Sequence, residues 1–149
     1  MDNSKGMVMR IKEIALSFQG RVGRQTFWMW NLAYYGILFF AISICNQLIP
    51  SYAHVLLPLI FITMLYPDLA VTAKRWHDRD KSSWWLLLNI PMFIGRIMVP
   101  MQDPAIEPQS MTWQTIGSFA ALFCGLWIFI ECGFLKGSAG ANRYGNEVE

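Results

Sequence analysis

Long apolar runs separated by short polar segments dominate the pattern of this 149-residue chain. Each run is near the roughly 20 residues that a helix needs to cross about 30 Å of hydrocarbon, and none alternates with the period of two that marks a half-buried strand. Inside hydrocarbon a helix satisfies its own backbone hydrogen bonds. The pattern therefore predicts an all-α, polytopic membrane protein, a four-helix transmembrane bundle with spans at about 27–49, 52–73, 84–101 and 113–135.

Basic residues are distributed unequally between the two sides of the predicted bundle. Of the twelve Lys and Arg residues, all except Arg96 lie before the first span, between the second and third, or after the fourth. Cytoplasmic loops carry such an excess of positive charge. We therefore expect residues 1–26 and 136–149 to be cytoplasmic. The absence of a recognisable cleavable signal peptide favours a bacterial inner (plasma) membrane.

The third apolar run is the weakest of the four. It is short and contains Asn89, Pro91, Gly95 and Arg96. If this run were re-entrant, the charges after the fourth run would move to the other side of the membrane. Four full crossings agree better with the positive-inside rule, and we keep them as the prediction.

A short amphipathic helix is predicted from Met7 to Phe18, in front of the first span. Its apolar residues recur at helical spacing, and its polar residues collect on the opposite side. The helix can lie in the inner membrane interface, or it can fold back under the bundle and close it. Both arrangements bring the turn from Gly20 to Arg24 to the membrane surface.

Two segments concentrate basic and aromatic residues at headgroup level. The first contains Gly20, Arg21, Arg24, Phe27 and Trp28; the second is a tight loop predicted from Lys74 to Lys81, with Arg75, His77 and Asp78, followed by Trp84 and Trp85. The positive-inside rule and interfacial aromatic anchoring explain the basic and aromatic residues. They do not explain why two aspartates lie among four cations in the loop. Guanidinium groups hold carboxylates or phosphates in bidentate fashion, so the loop is either an internal salt-bridged staple or a binding site for an anion.

His77 adjoins Asp78, which raises the question of a metal site or a general base. The other histidine, His54, is predicted at the opposite face, so the sequence offers no histidine cluster. We expect no metal and no cofactor. A structural histidine, or one that responds to pH, fits better.

Three ionisable residues lie inside the predicted spans, namely Asp68, Arg96 and Glu131. At 1.5 Å per residue, both acids lie about 8 Å below the inner surface, whereas Arg96 lies about 18 Å from it. We expect Asp68 to pair with Arg75, Arg21 or Arg24. The side chain of Arg96 is expected to snorkel outward or to meet Asp103 or Glu107. Charge inside a membrane is a functional signal. An oligomeric transport or permeation subunit that uses these three charges is therefore an alternative.

A third polar segment follows the fourth run and contains Gly140, Asn142 and Gly145. The three segments, in this order, resemble the bacterial inner-membrane family filed as domain of unknown function 805, the YhaH-type proteins. Matching residues are Gly20, Arg21, Arg24, Phe27, Trp28, Arg75, His77, Asp78, Lys81, Ser82, Trp84, Trp85, Gly140, Asn142 and Gly145. Lys74, Trp76 and Ser83 depart from the family's Arg, Leu and Gly. The resemblance implies a fold and a location, and no reaction.

The leading functional hypothesis is a small non-enzymatic inner-membrane protein whose basic and aromatic cytoplasmic face binds anionic lipid headgroups or a partner protein. Membrane lipids and a homo-oligomer are expected partners, and nucleic acid is not. A transport subunit is the first alternative. The second is a lipid-headgroup enzyme with His77 and Asp78 as its base pair.

Overall fold

The computed structural model describes residues 12–98 and 111–148, with the backbone alone at 95–98 and 111–114. Within these ranges every regular element is helical, apart from an isolated bridge between Asn142 and Gly145. The α-helices are α1 (Arg24–Leu48), α2 (Pro50–Asp78), α3 (Asn89–Met98) and α4 (Met111–Ile128). A 3-10 helix, Ser83–Leu88, precedes α3, and a π-helix, Phe129–Phe134, extends α4. The all-α prediction is confirmed.

Among the described residues, three helical segments are long and apolar enough to cross a membrane: Arg24–Leu48, Pro50–Asp78 and Thr115–Phe134. The third apolar run forms a shorter apolar helical stretch, Ser83–Ile94. Large side chains cover the outside of the bundle, and Leu32 of α1 is 79% exposed. Contiguous apolar surface of this kind suits a hydrocarbon environment. The structure confirms a helical membrane bundle, while four full crossings, the span boundaries and the orientation stay predictions.

Helices α1 and α2 are antiparallel neighbours because Ile49 alone separates them. Pro50 occupies the first turn of α2, where its missing N–H is not needed. The core between the two helices consists of Tyr34, Leu38, Cys45, Ala53, Leu57 and Phe61. The small residues in this cluster allow the two backbones to approach closely, as is common between membrane helices.

Helix α2 extends beyond its predicted span. Its 29 residues measure about 44 Å at 1.5 Å per residue, which exceeds the roughly 30 Å of hydrocarbon. The tight loop predicted from Lys74 to Lys81 is therefore wrong in its first part, since residues 74–78 form the last turn of α2. Cations at a helix C-terminus interact favourably with its dipole, so these residues favour continuation of the helix. The chain turns at Asp80, whose φ is 56°.

The third apolar run is divided at Asn89 into the 3-10 helix and α3, rather than forming one regular helix. Pro91 has no N–H and cannot donate to the carbonyl four residues earlier. The preceding residues adopt the tighter 3-10 geometry, and the Asn89 side chain donates to the Leu86 carbonyl at 3.3 Å. Helix α3 then packs on α4, where Met92 faces Gly125.

The N-terminal segment packs against the end of α2. Residues 12–16 are helical, and the earlier part of the helix predicted from Met7 to Phe18 lies outside the described residues. Tyr66 donates its hydroxyl to the Leu16 carbonyl at 3.1 Å, and its ring makes an edge-to-face contact with Phe18. Ile14 packs against the core at this end of the bundle. These contacts favour the arrangement in which the segment folds back and closes the bundle.

Candidate functional site

Asp78 is the centre of the charged end of the bundle. It is 1% exposed, and its carboxylate accepts hydrogen bonds from Arg21 Nε at 3.0 Å and from Arg75 Nη1. Arg21 precedes α1, whereas Arg75 lies one turn before Asp78 on α2. We call these three residues the ionic staple. Because both guanidinium groups are buried, their desolvation must be offset by good hydrogen-bond geometry.

Backbone carbonyls of the C-terminal segment, residues 136–148, complete the surroundings of the staple. Arg21 donates to the carbonyls of Ser138 and Gly140, each at 2.7 Å. The carbonyl of Asp78 in turn accepts the Ser138 N–H at 2.7 Å and its hydroxyl at 3.0 Å. The staple therefore joins the N-terminal segment, the end of α2 and the C-terminal segment.

The end of α4 supplies further carbonyls to this region. The π-helix ends at Phe134, and the backbone becomes extended at Leu135. A helix end leaves its last carbonyls without intrahelical partners. Arg75 donates through Nε to the Cys132 carbonyl and through Nη2 to the Leu135 carbonyl. Trp28 Nε1 donates to the Gly133 carbonyl, and Arg24 Nη1 donates to the Phe134 carbonyl. Three of these four bonds come from arginine, which is favourable at the negative end of a helix dipole.

Gly137 lies directly against the staple. A Cβ placed on this residue would collide with both carboxylate oxygens of Asp78. The carboxylate cannot move aside easily, since Arg21 and Arg75 hold it in place. Sequence reasoning missed this role. The signal in the sequence was a glycine shortly after the last apolar run, a position at which glycine commonly ends a helix.

His77 is buried between three parts of the chain. Nδ1 lies 3.2 Å from the Gly20 carbonyl, Nε2 lies 2.9 Å from Ser83 Oγ, and the ring stacks on Tyr144 with a centroid distance of 3.8 Å. It lies four residues beyond the predicted span. Burial lowers the pKa of His77 below its ordinary value, the Gly20 bond opposes this, and the charges of Arg143 and Lys74 add to the lowering.

Lys74 holds the N-terminal segment. Its Nζ donates to the carbonyls of Glu13 and Ile14 at 2.6 and 2.7 Å, and its own carbonyl accepts the Val22 N–H at 3.3 Å. Burial lowers the pKa of Lys74, and the nearby charge of Glu13 partly opposes this effect. Two carbonyls on one short helix end suit an ammonium group, so the lysine that departs from the family pattern has a defined structural use.

A cation–aromatic cluster of Trp76, Arg79, Lys81, Trp85 and Glu131 lies beside the staple. Glu131 forms two ion pairs: Arg79 Nε lies 2.8 Å from its Oε2, and Lys81 Nζ lies 2.9 Å from its Oε1. Lys81 Nζ also lies 4.5 Å from the centroid of Trp85, whose ring stacks on Trp76. Glu131 was predicted to lie within the fourth span, which stays a prediction, and its carboxylate is paired with the cations that follow α2.

The three arginines predicted as partners of Asp68 donate hydrogen bonds to other groups. Arg75 and Arg21 donate to Asp78, which is one helical turn from Arg75, whereas Asp68 is two turns away. Arg24 donates to the Phe134 carbonyl. Asp68 itself is buried and takes part in other interactions. The side chain of Arg96, with Asp103 and Glu107, lies outside the described residues.

An open groove begins where α1 meets the end of the π-helix. Its volume is about 590 Å³, and its lining residues are Arg24, Gln25, Trp28, Met29, Gly133 and Phe134. Arg24 is exposed and makes one long hydrogen bond, 3.3 Å, to the Phe134 carbonyl. Trp28 forms one wall, fixed by its bond to Gly133 and by edge-to-face contact with Phe134. We call this feature the Arg24 groove.

The predicted site residues therefore fall into separate groups instead of one continuous face. Gly20, Arg21, Arg75, His77, Asp78 and Asn142 meet around the staple; Phe27 is buried beneath it; Arg24 and Trp28 line the groove; Lys81 and Trp85 belong to the cation–aromatic cluster. Trp84 is 76% exposed at the start of the 3-10 helix.

The base pair required by the enzyme hypothesis is not assembled. The His77 ring is bonded to Gly20 and Ser83, while the Asp78 carboxylate is bonded to arginines. Within residues 12–98 and 111–148, no three His, Cys, Asp or Glu residues are grouped in a way that could hold a metal ion. Whether the chain catalyses a reaction stays a prediction, since neither finding tests activity.

Comparison with known proteins gives relatives that match most of the chain. It is 33% identical over 143 residues to the Uncharacterized protein YiiR of Escherichia coli (strain K12), covering 95% of this chain and 92% of that protein. It is 30% identical over 138 residues to Inner membrane protein YhaI of the same organism, covering 89% and 86%. Inner membrane protein YhaH is 28% identical over 96 residues, covering 61% and 78%. No solved structure matches.

The family profile described as Protein of unknown function (DUF805) matches residues 15–146. This range contains the ionic staple, the Arg24 groove and the cation–aromatic cluster. The expected family is thus confirmed, and relatives named as inner membrane proteins agree with the apolar helices of the bundle. The chain belongs to the DUF805 family of inner-membrane proteins, a family whose function is unknown.

Proposed function

We propose that this chain is a non-enzymatic inner-membrane protein that binds the headgroup of an anionic phospholipid in the Arg24 groove. The charged end of the bundle, which carries the groove and the staple, faces the cytoplasm in this proposal. Support for the orientation comes from the positive-inside distribution of Lys and Arg. The observation that carries the binding proposal is an exposed arginine beside an open groove with an aromatic wall.

The two arginines of the staple are too deeply buried to bind a lipid headgroup. The side chains of Arg21 and Arg75 are 1% and 0% exposed, and both are bonded to Asp78. Opening them to a phosphate would leave a buried carboxylate unpaired, which is strongly unfavourable. Their role is to hold the fold. The headgroup hypothesis therefore moves to Arg24, which belongs to the same sequence motif but points to the surface.

The groove supplies three kinds of contact that a phospholipid needs. The guanidinium of Arg24 can hold phosphate oxygens in bidentate fashion. Trp28 and Phe134 present aromatic surface beside the guanidinium, which suits the glycerol region of a phospholipid. Helix α1 begins without a side-chain cap and without an acidic residue in its first turn, so nothing in this turn neutralises the positive end of its dipole.

Native mass spectrometry of protein released from nanodiscs tests the proposal. The discs contain equal amounts of phosphatidylglycerol and phosphatidylethanolamine. We expect retained phosphatidylglycerol to fall about tenfold in Arg24→Gln, which corresponds to the loss of one charged hydrogen bond. Lys136→Gln is the matched control, because it removes the same charge from an exposed residue at the same end but outside the groove.

Two results would contradict headgroup binding in the groove. One is equal retention by wild type and Arg24→Gln. The other is an equal loss in both variants, which would indicate a general effect of net charge. The same spectra report the mass of any homo-oligomer or co-purified protein, so they also test the expected partners.

A further inference from the structure

Besides the staple, His77 contacts the C-terminal segment and helps to hold it to the bundle. The ring of Tyr144 stacks on the imidazole with an interplanar angle of 3°, and Asn142 Nδ2 donates to the His77 carbonyl at 2.9 Å. Asn142 also accepts the Tyr144 N–H through Oδ1, so the two contacts are made by one compact turn. A change at the His77 ring is therefore transmitted directly to this segment.

Both ring nitrogens of His77 have partners that fit a neutral imidazole. The Gly20 carbonyl can only accept, so Nδ1 carries the proton. Nε2 is then the acceptor and receives the hydroxyl proton of Ser83. Protonation of Nε2 would reverse the Ser83 bond and place a full positive charge in a site that is 4% exposed.

The charges around the ring also oppose a protonated His77. On α2, Lys74 is a nearby cation, and the carboxylate of Asp78 is already shared by two arginines. In the C-terminal segment, the guanidinium of Arg143 lies 5.0 Å from the Tyr144 ring and is bonded to Asp80. The charged groups that face this region are therefore Arg21 before α1, Lys74 and Asp78 on α2, Asp80 in the turn, and Arg143 in the C-terminal segment.

We propose that protonation of His77 releases residues 136–148 from the end of the bundle, so that His77, Tyr144 and Asn142 form a pH-sensitive latch. Release would uncover Arg21, whose bonds to Ser138 and Gly140 depend on the docked segment. The latch is thus a means by which acidification uncovers the part of the staple that residues 136–148 cover.

The direction of the pH dependence follows from the lowered pKa of His77 in the docked state. In the released state the ring returns to its ordinary pKa of about 6.5. The docked state is therefore favoured fully above about pH 6.5 and loses this advantage as the pH falls through that value. The ratio of released to docked protein can rise by at most about tenfold for each pH unit until the docked pKa is reached.

Hydrogen exchange of the full-length protein in nanodiscs tests the latch. Peptides covering residues 136–148 contain the amides of Ser138, Asn142 and Gly145, which are hydrogen-bonded in the docked state. Exchange is followed from pH 5 to pH 8 and normalised to the intrinsic rate at each pH. We expect protection to be constant from pH 7 to pH 8 and to fall several-fold towards pH 5, most steeply below about pH 6.5.

Two variants separate His77 from general acid effects. His77→Gln keeps one donor and one acceptor but cannot be protonated, and its protection should be independent of pH. His54→Gln changes the other, exposed histidine and should show the wild-type profile. The latch is refuted if wild-type protection is flat or if His77→Gln keeps the wild-type dependence. Should His77→Gln fail to fold, NMR titration of the wild-type ring decides, and a pKa at or above about 6.5 excludes the latch.

Discussion

Arg21 and Arg24 are separated by one helical turn of sequence and have opposite surroundings. Arg21 is buried, bonded to Asp78 and to carbonyls of the C-terminal segment. Arg24 is exposed and makes one long bond beside an open groove. The difference shows that two arginines of one sequence motif can have different roles. One stabilises the fold, and the other remains available to an anion.

The largest expected effect comes from removing the carboxylate at the centre of the staple. Asp78→Asn keeps the shape of the side chain but leaves the buried guanidinium groups of Arg21 and Arg75 without their counter-charge. We expect a loss of about 3–5 kcal/mol in the free energy of unfolding. Thermal unfolding in detergent, followed by circular dichroism, measures it.

Asp80→Asn is the matched control for that experiment. It removes a carboxylate from the same turn, but its pair with Arg143 is more than half exposed. Exposed ion pairs contribute less than about 1 kcal/mol, so the control should unfold close to wild type. Equal stability of the two variants would show that the staple does not hold this end of the bundle.

Replacing each arginine by lysine compares the two residues directly. Lysine keeps the charge but lacks the planar fork, and Arg21 uses that fork to reach Asp78, Ser138 and Gly140 together. We expect Arg21→Lys to lose about 3 kcal/mol of stability, the value of one or two charged hydrogen bonds. Arg24→Lys should leave the unfolding temperature unchanged. A larger loss in Arg24→Lys would reverse our assignment of the two roles.

A smaller effect is expected where the C-terminal segment touches the staple. Gly137→Ala adds one methyl group that collides with the Asp78 carboxylate, and overpacking of this kind costs about 1–3 kcal/mol. Gly36→Ala on α1 is the control, because its Cβ meets no atom within 4 Å. Unfolding measurements on both should show a loss only at Gly137, and an unchanged Gly137→Ala would mean that the segment is not packed against Asp78.

The sequence predicted the parts of the fold that depend on local pattern. Apolar runs gave the all-α bundle, and the interleaved aspartates gave a salt-bridged staple as one of two alternatives. The length of α2 was not predicted. Charged residues at 74–78 were interpreted as a loop, although basic residues are also favourable at a helix C-terminus. Pairing within the bundle could not be derived either. Which carbonyls remain free for Arg75 depends on where the π-helix ends.

Glu131 illustrates the same limit at the site. Its position in an apolar run predicted a charge within a span, but the sequence did not indicate that Lys81 and Arg79 pair with it. Depth along one helix does not specify which cations of another element reach it. Likewise, nothing in the motif distinguishes Arg21 from Arg24, since the choice depends on the position of residues 138–140.

The contacts between residues 21, 78 and 138 also set an order of events during synthesis. Arg21 and Asp78 leave the ribosome well before Ser138, whose carbonyl and N–H complete their hydrogen bonding. A nascent chain that ends before the π-helix lacks every carbonyl that Arg75 uses beyond Asp78. The bundle can therefore close its charged end only after the last apolar run has been inserted, and a chain truncated there would expose unpaired charge at the membrane surface.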